Sequence, residues 1–210
     1  MKNEMKKGIL MPYDDQELLP AVAALRAGKP AIFPTETVYG IGVAVGYAQT
    51  PQILYDLKQR DREKPVAWLV DGPSALLDYG KAVPDFALAL AREFWPGPLT
   101  LIVKANDRVP AVFCSHEGTI GLRMPDSQTA RELIARVGAP LATTSANLSG
   151  SESPQTFAAI DGALLSRVDA AIEDDVEKSG VASTVIDCTK KDPLMVRQGA
   201  ISLADVRALL

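Results

Sequence analysis

The chain is predicted to be an α/β protein with a mostly parallel or mixed sheet, because three features of its 210 residues agree. Short apolar runs rich in Val, Ile and Leu alternate with amphipathic stretches through most of its length. Cap and turn residues fall where those runs stop. Two pairs of adjacent strands, one near each end, suit antiparallel pairing.

Glu17 to Ala27 reads as a helix, with Asp14 or Asp15 as cap, Pro20 near the first turn and Gly28 at its end. Pro30 to Pro34 is a short buried strand, and Val38 to Val45 is a second one rich in β-branched residues and glycine. Thr50 caps a helix that starts at Pro51 and runs to about Arg60. Val66 to Val70 is a strand, and Pro84 to Trp95 is a helix stopped by Pro96-Gly97-Pro98. Leu99 to Lys104 and Thr119 to Met124 are strands, separated by an irregular stretch, Ala105 to Gly118, that could form a lid. Ser127 to Val137 is a helix ended by Gly138. Pro140 to Thr144, Ser183 to Cys188 and Leu194 to Arg197 are strands, and Ser202 caps a closing helix to Leu209.

Hydrophobic residues make up 47% and charged residues 23%, as in ordinary soluble proteins, and the length allows one sizeable core. A single domain, 1–210, is expected. No apolar run reaches the roughly 18 residues of a spanning helix, and Met1 to Leu10 lacks the apolar stretch of a secretory signal. Two cysteines, Cys114 and Cys188, are too few for a disulfide framework, so a reduced, cytoplasmic setting without membrane contact is expected. The net charge of −4 argues against a surface given over entirely to nucleic acid but leaves room for a local basic cleft.

Several chemistries are excluded. There is no phosphate loop of the G-x-x-x-x-G-K-[ST] type. Gly40, Gly42 and Gly46 miss the dinucleotide spacing by one place, and close backbone packing accounts for them better. A single histidine, His116, argues against His-based metal sites and a Ser-His-Asp hydrolase.

Four segments at strand or helix ends are odd for a plain core. Pro34 to Gly40 places Thr35, Glu36, Thr37 and Tyr39 between two apolar strands. Lys58, Arg60 and Lys64 gather cations at a helix end, which suits either the helix dipole or polyphosphate. Arg123 ends an apolar strand, where an ion pair or a carboxylate clamp are equal readings. Thr143 to Gly150 strings hydroxyl and amide side chains after a strand, which suits either a turn or a ligand loop.

Together these segments resemble the threonylcarbamoyl-adenylate synthases, the YrdC-like family. The matching text is FPTETVYGIG, LKQRDREKPV, FWPGPLTLIVKA, TIGLRMPD, PLATTSANLSG, STVIDCT and MVRQGAIS, spread from Ala31 to about Ser202. The resemblance implies a twisted sheet flanked by helices with a concave electropositive cleft. It implies an active-site signature of Lys58, Arg60, Ser145 and Asn147. It places Arg60, Lys64, Thr119, Ser145, Ser153 and Arg197 at ATP, and Thr37, Arg123, Thr143 and Ser183 at L-threonine.

The activity so implied is a nucleotidyl transfer: L-threonine, bicarbonate and ATP give threonylcarbamoyl-AMP and pyrophosphate, for modification of a tRNA adenosine next to the anticodon. ATP enters as substrate with Mg²⁺ on its phosphates, and no tightly bound metal or organic cofactor is expected. The product would pass to a threonylcarbamoyl transferase complex, and tRNA or double-stranded RNA contact is a further expectation. The rivals are an RNA-binding module and a carbamoyl-adenylate-handling enzyme. Two positions depart from the family pattern: Asp61 stands where proline usually follows Lys-x-Arg, and Trp68-Leu69 stands where a histidine often lines the amino-acid pocket. With its last residue at Leu210, the chain looks like the short, single-domain form.

Arg60→Ala should lose most pyrophosphate release while the melting temperature barely moves, since a helix-end cation contributes only about 0.3–1 kcal/mol. Near-normal turnover in the variant would make Arg60 an ordinary surface charge.

Overall fold

The computed structural model describes residues 15–59 and 65–209. Arg60 and Lys64, expected at ATP, and Asp14, a candidate cap, lie outside the described residues.

The elements follow the expected order. The helices are α1 (Asp15–Arg26), α2 (Gln52–Lys58), α3 (Ala75–Tyr79), α4 (Asp85–Phe94), α5 (Gln128–Val137), α6 (Gly162–Leu165) and α7 (Leu203–Leu209). The strands are β1 (Ala31–Pro34), β2 (Tyr39–Ala44), β3 (Ala67–Leu69), β4 (Leu99–Lys104), β5 (Thr119–Arg123), β6 (Leu141–Ser145), β7 (Ala170–Ala171), β8 (Thr184–Asp187) and β9 (Leu194–Arg197).

Local chemistry explains most boundaries. The Thr50 hydroxyl accepts from the Gln52 amide at the start of α2, and Ser127 Oγ accepts from the Ala130 amide at the start of α5. Gly138, at φ 77°, closes α5 in the left-handed conformation that glycine adopts without strain. Ser202 and Asp205 cap α7 reciprocally: Ser202 Oγ accepts from the Asp205 amide, and Asp205 Oδ2 accepts from the Ser202 amide.

The strands form one mixed sheet in the order β7-β1-β2-β6-β3-β5-β4-β8-β9. Among the described residues β1–β2, β2–β6, β3–β6, β4–β5 and β8–β9 pair antiparallel, while β1–β7, β3–β5 and β4–β8 pair parallel. The adjacent pairs expected near each end, β1–β2 and β8–β9, are both antiparallel. No helix of the described residues is long and apolar enough to cross a membrane.

Successive strand residues point to opposite faces. Ile32, Tyr39, Ile41, Val43, Trp68, Leu101 and Leu122 enter one core with α2, α3, α4 and α7. Ala31, Phe33, Ala44, Leu69 and Leu141 enter a second core with α1 and α5. Helices α1 and α5 pack on each other and on β1, so they cover only one end of that second face.

The register of β1, β2 and β6 depends on glycine. Phe33 lies opposite Gly40, and Thr143 opposite Gly42. A Cβ on Gly42 would lie 2.8 Å from Thr143 Oγ1 and 3.0 Å from Ala142 O, so close approach explains the glycine, as the sequence suggested. Gly42→Ala should therefore destabilise the fold by about 1–3 kcal/mol through overpacking. A denaturant midpoint equal to that of the parent chain would contradict this packing.

Candidate active site

The part of the second sheet face that α1 and α5 leave open forms a cavity of about 440 Å³, within the ordinary range for small-molecule sites. Strand alternation decides what lines it. On β4, Leu99, Leu101 and Val103 enter the core while Thr100 and Ile102 face the cavity. On β5, Ile120 and Leu122 enter the core while Thr119, Gly121 and Arg123 face the cavity. On β3, Trp68 is core while Ala67 and Leu69 are wall. Thr143, Thr144 and Ser145 of β6, Ser183 and Val185 at β8, and Val196 and Arg197 of β9 also line it, so on β6 the alternation is lost at the strand's end.

Thr37, Thr119, Arg123, Thr143, Ser145, Ser153, Ser183 and Arg197, all singled out from the sequence, line this one cavity. Among the described residues its wall carries two arginines and no carboxylate. Leu69 occupies the wall next to Arg123, in register on the parallel strand.

The turn between β1 and β2 is tied by one hydroxyl. Thr35 Oγ1 donates to Val38 O at 2.7 Å and accepts from the amides of Thr37 and Val38. It also bonds Thr37 Oγ1 at 2.9 Å. Thr37 Oγ1 in turn accepts from Arg123 Nη2 at 3.0 Å, and that same nitrogen donates to Glu36 Oε1 at 2.7 Å. Of the two readings left open for Arg123, the structure shows the ion pair, with the side chain also bordering the cavity.

On the opposite wall Arg197 grips the residue before β8. Its Nε and Nη2 donate to Ser183 O at 3.1 and 2.8 Å, and Nη2 also reaches Ser183 Oγ at 3.1 Å. Ser183 Oγ continues to Thr100 Oγ1 at 2.9 Å. Arg197 and Ser145 line the same cavity, while Arg60 lies outside the described residues.

Lys58 and Asn147 stand behind the wall. Lys58 is 1% exposed, far from the solvated helix-end cation that its position allowed. Its ammonium donates to Ser145 O and, at 3.2 Å, to Asn147 Oδ1. Ser145 Oγ also donates to Asn147 Oδ1, while Asn147 Nδ2 reaches Ser151 O at 2.7 Å. The Ser149 amide donates to Lys58 O. Lys58 thus fixes the loop after β6 and aims Ser145 at the cavity.

A segment the sequence did not single out, residues 173–182, backs the turn between β1 and β2 and reaches the cavity wall at Ala182. The amides of Ser179 and Gly180 donate to the carbonyls of Glu36 and Thr37. Behind it lies a buried cluster: Lys178 Nζ meets Asp174 Oδ1 at 2.6 Å, and Tyr39 Oη donates to the same oxygen at 2.9 Å. Burial, with the Asp174 carboxylate adding to it, pushes the Tyr39 phenol well above its ordinary range, so it stays protonated and remains a donor.

Ala105 to Gly118 is not a cover. None of its described residues lines the cavity; Val109 and Phe113 instead enter the core, and Phe113 meets Trp68 edge-on at 6.0 Å. It meets the wall residue Thr119 through Ser115, whose Oγ bonds Thr119 Oγ1 at 2.7 Å and whose amide donates to Thr119 O at 2.9 Å. Ala67, Thr100, Ile102 and Gly121 were missed as wall residues because small and apolar strand residues read as core. Strand alternation alone could have found them.

The family model Sua5_yciO_yrdC, described as Telomere recombination, matches residues 23–199. A threonylcarbamoyl-AMP synthase of Pyrococcus abyssi is 33% identical over 190 residues, covering 90% of this chain and 56% of that one. One of Bacillus subtilis is 34% identical over 199 residues, covering 94% and 57%. The crystal structure of P. abyssi Sua5 complexed with L-threonine matches with a TM-score of 0.87 at 32% identity, covering 94% of this chain and 58% of that one. The chain therefore spans a little more than half the length of these relatives.

Lys58→Met should lower stability by about 1–3 kcal/mol, because it takes the ammonium donor from the Ser145 carbonyl and leaves Asn147 Oδ1 with only Ser145 Oγ. Hydrogen exchange should speed up at the Ser149 amide, which bonds Lys58 O. Unchanged exchange there, with an unchanged denaturation midpoint, would mean that Lys58 does not hold this loop.

Proposed function

The chain belongs to the Sua5/YciO/YrdC family, and from that membership we propose that it makes threonylcarbamoyl-AMP and pyrophosphate from L-threonine, bicarbonate and ATP. One observation carries the reading. Residues expected at L-threonine and residues expected at ATP line a single cavity, with Arg123 on one wall and Arg197 on another.

The chemistry needs no covalent nucleophile. The amine of threonine captures bicarbonate with loss of water, or carbon dioxide with loss of a proton, giving a carbamate. A carbamate oxygen then attacks the α-phosphorus of ATP, the bond to the bridging oxygen breaks, and pyrophosphate leaves. Such transfers depend on positioning and on neutralising charge. Arg123, with Thr37, Thr143 and Ser183, is assigned to the amino acid. Arg197, Thr119, Ser145 and Ser153, with Arg60 and Lys64, are assigned to the nucleotide. Lys58 and Asn147 act by aiming Ser145. A wall with two arginines and no carboxylate among the described residues suits ATP, bicarbonate and the threonine carboxylate.

Magnesium belongs to this scheme as part of the ATP substrate. Among the described residues no group of three His, Cys, Asp or Glu side chains could hold a metal, so no step is assigned to a protein-bound ion. Hand-over of the adenylate to a threonylcarbamoyl transferase complex, contact with tRNA and a cytoplasmic setting complete the proposal. Two free cysteines, Cys114 and Cys188, suit a reducing compartment.

Purified chain with Mg²⁺ should release pyrophosphate from ATP only when L-threonine and bicarbonate are both present. Equal release with threonine omitted, or binding of double-stranded RNA with no turnover, would replace this reading with one of its rivals.

A further inference from the structure

Arg123 is held at two of its three nitrogens. Nε donates to Gly97 O at 3.2 Å, and Nη2 donates to Glu36 Oε1 at 2.7 Å and Thr37 Oγ1 at 3.0 Å. Nη1 has no acceptor among the described residues, yet it is not a buried unpaired atom. Its exposure is therefore toward the cavity that Arg123 lines. A guanidinium is a rigid planar fork, so fixing Nε and Nη2 fixes the direction of Nη1 as well.

Glu36 is the charged member of that anchor, and it does not itself line the cavity. Its other oxygen, Oε2, is buried and has no hydrogen-bond partner among the described residues. A desolvated carboxylate oxygen without a donor costs stability. The turn does not need the side chain, because the Thr35 hydroxyl already ties its backbone. What Glu36 provides is the charge-assisted bond to a guanidinium whose side chain is only 9% exposed.

We infer that Glu36 is a positioning residue: it holds Arg123 from behind so that the Nη1 edge faces the cavity and receives the carboxylate of an α-amino acid ligand. The inference rests on the reading that the cavity takes an amino acid. Without the counter-ion the buried guanidinium would carry an uncompensated charge and turn toward other acceptors. With it, the empty site keeps one donor edge aimed at the ligand, and the ordering entropy is spent on folding rather than on binding.

Two variants test this in the intact chain. Glu36→Gln keeps the volume and an acceptor oxygen but removes the charge, and Glu36→Asp keeps the charge but is one methylene too short. Both should raise the KM for L-threonine about tenfold, the loss of one charge-assisted bond. The KM for ATP should stay within about twofold, since Arg123 does not serve the nucleotide. An unchanged threonine KM, or a parallel rise in both constants, would overturn the inference. A separate arm does not depend on the reaction: in nitrogen-15 spectra, rotation about the Arg123 Cζ–Nη2 bond should be slow in the parent chain and faster in Glu36→Gln. Equal rotation in both would refute the anchoring. Absence of threonine-dependent pyrophosphate release from the parent chain would instead refute only the reading of the reaction.

Discussion

The alternation of β3, β4 and β5 is the constraint from which the rest follows. Trp68, Leu101, Ile120 and Leu122 all face one core, and the residues between them all face the cavity. Because strand side chains repeat every two residues, a slip of one place would exchange the two sets. It would bury Thr100 and Arg123 among α3 and α4 and open the tryptophan to water. The register that maximises apolar burial is thus the same register that assembles the hydroxyls and arginines.

The sequence made the individual strands plain because each is a short apolar run with hard ends. β4 and β9 have the expected limits, and the other expected strands agree to within a residue or two. It did not make their order plain, since pairing is decided by contacts far apart in the chain. α3, α6 and β7 escaped notice because five, four and two residues are too short to show a period. The hydroxyl-rich breaks at Thr35–Thr37 and Thr143–Asn147 were legible as chemistry because polarity is unusual beside buried strands. Lys58 was legible by its motif but not by its surroundings: a helix-end cation reads as solvated, and only the loop folded back from β6 buries it.

Three buried cations hold the parts of the wall that are not regular strand. Lys58 secures the loop after β6, Arg123 the turn between β1 and β2, and Lys178 the segment before β8. Buried ionic groups are weak contributors to net stability but demand specific partners. Each therefore trades free energy for a single geometry at the place where irregular chain meets the site.

The segment 173–182 bonds to residues 36, 37 and 39, roughly 140 positions earlier in the chain. Bringing such distant pieces together carries the entropy of closing a very long loop, so this contact is characteristic of a late event in folding. Ligands that need both walls then recognise only the finished molecule, and their occupancy draws the folding equilibrium toward it by mass action. The abundance of the intact protein would in this way follow the supply of its own substrates.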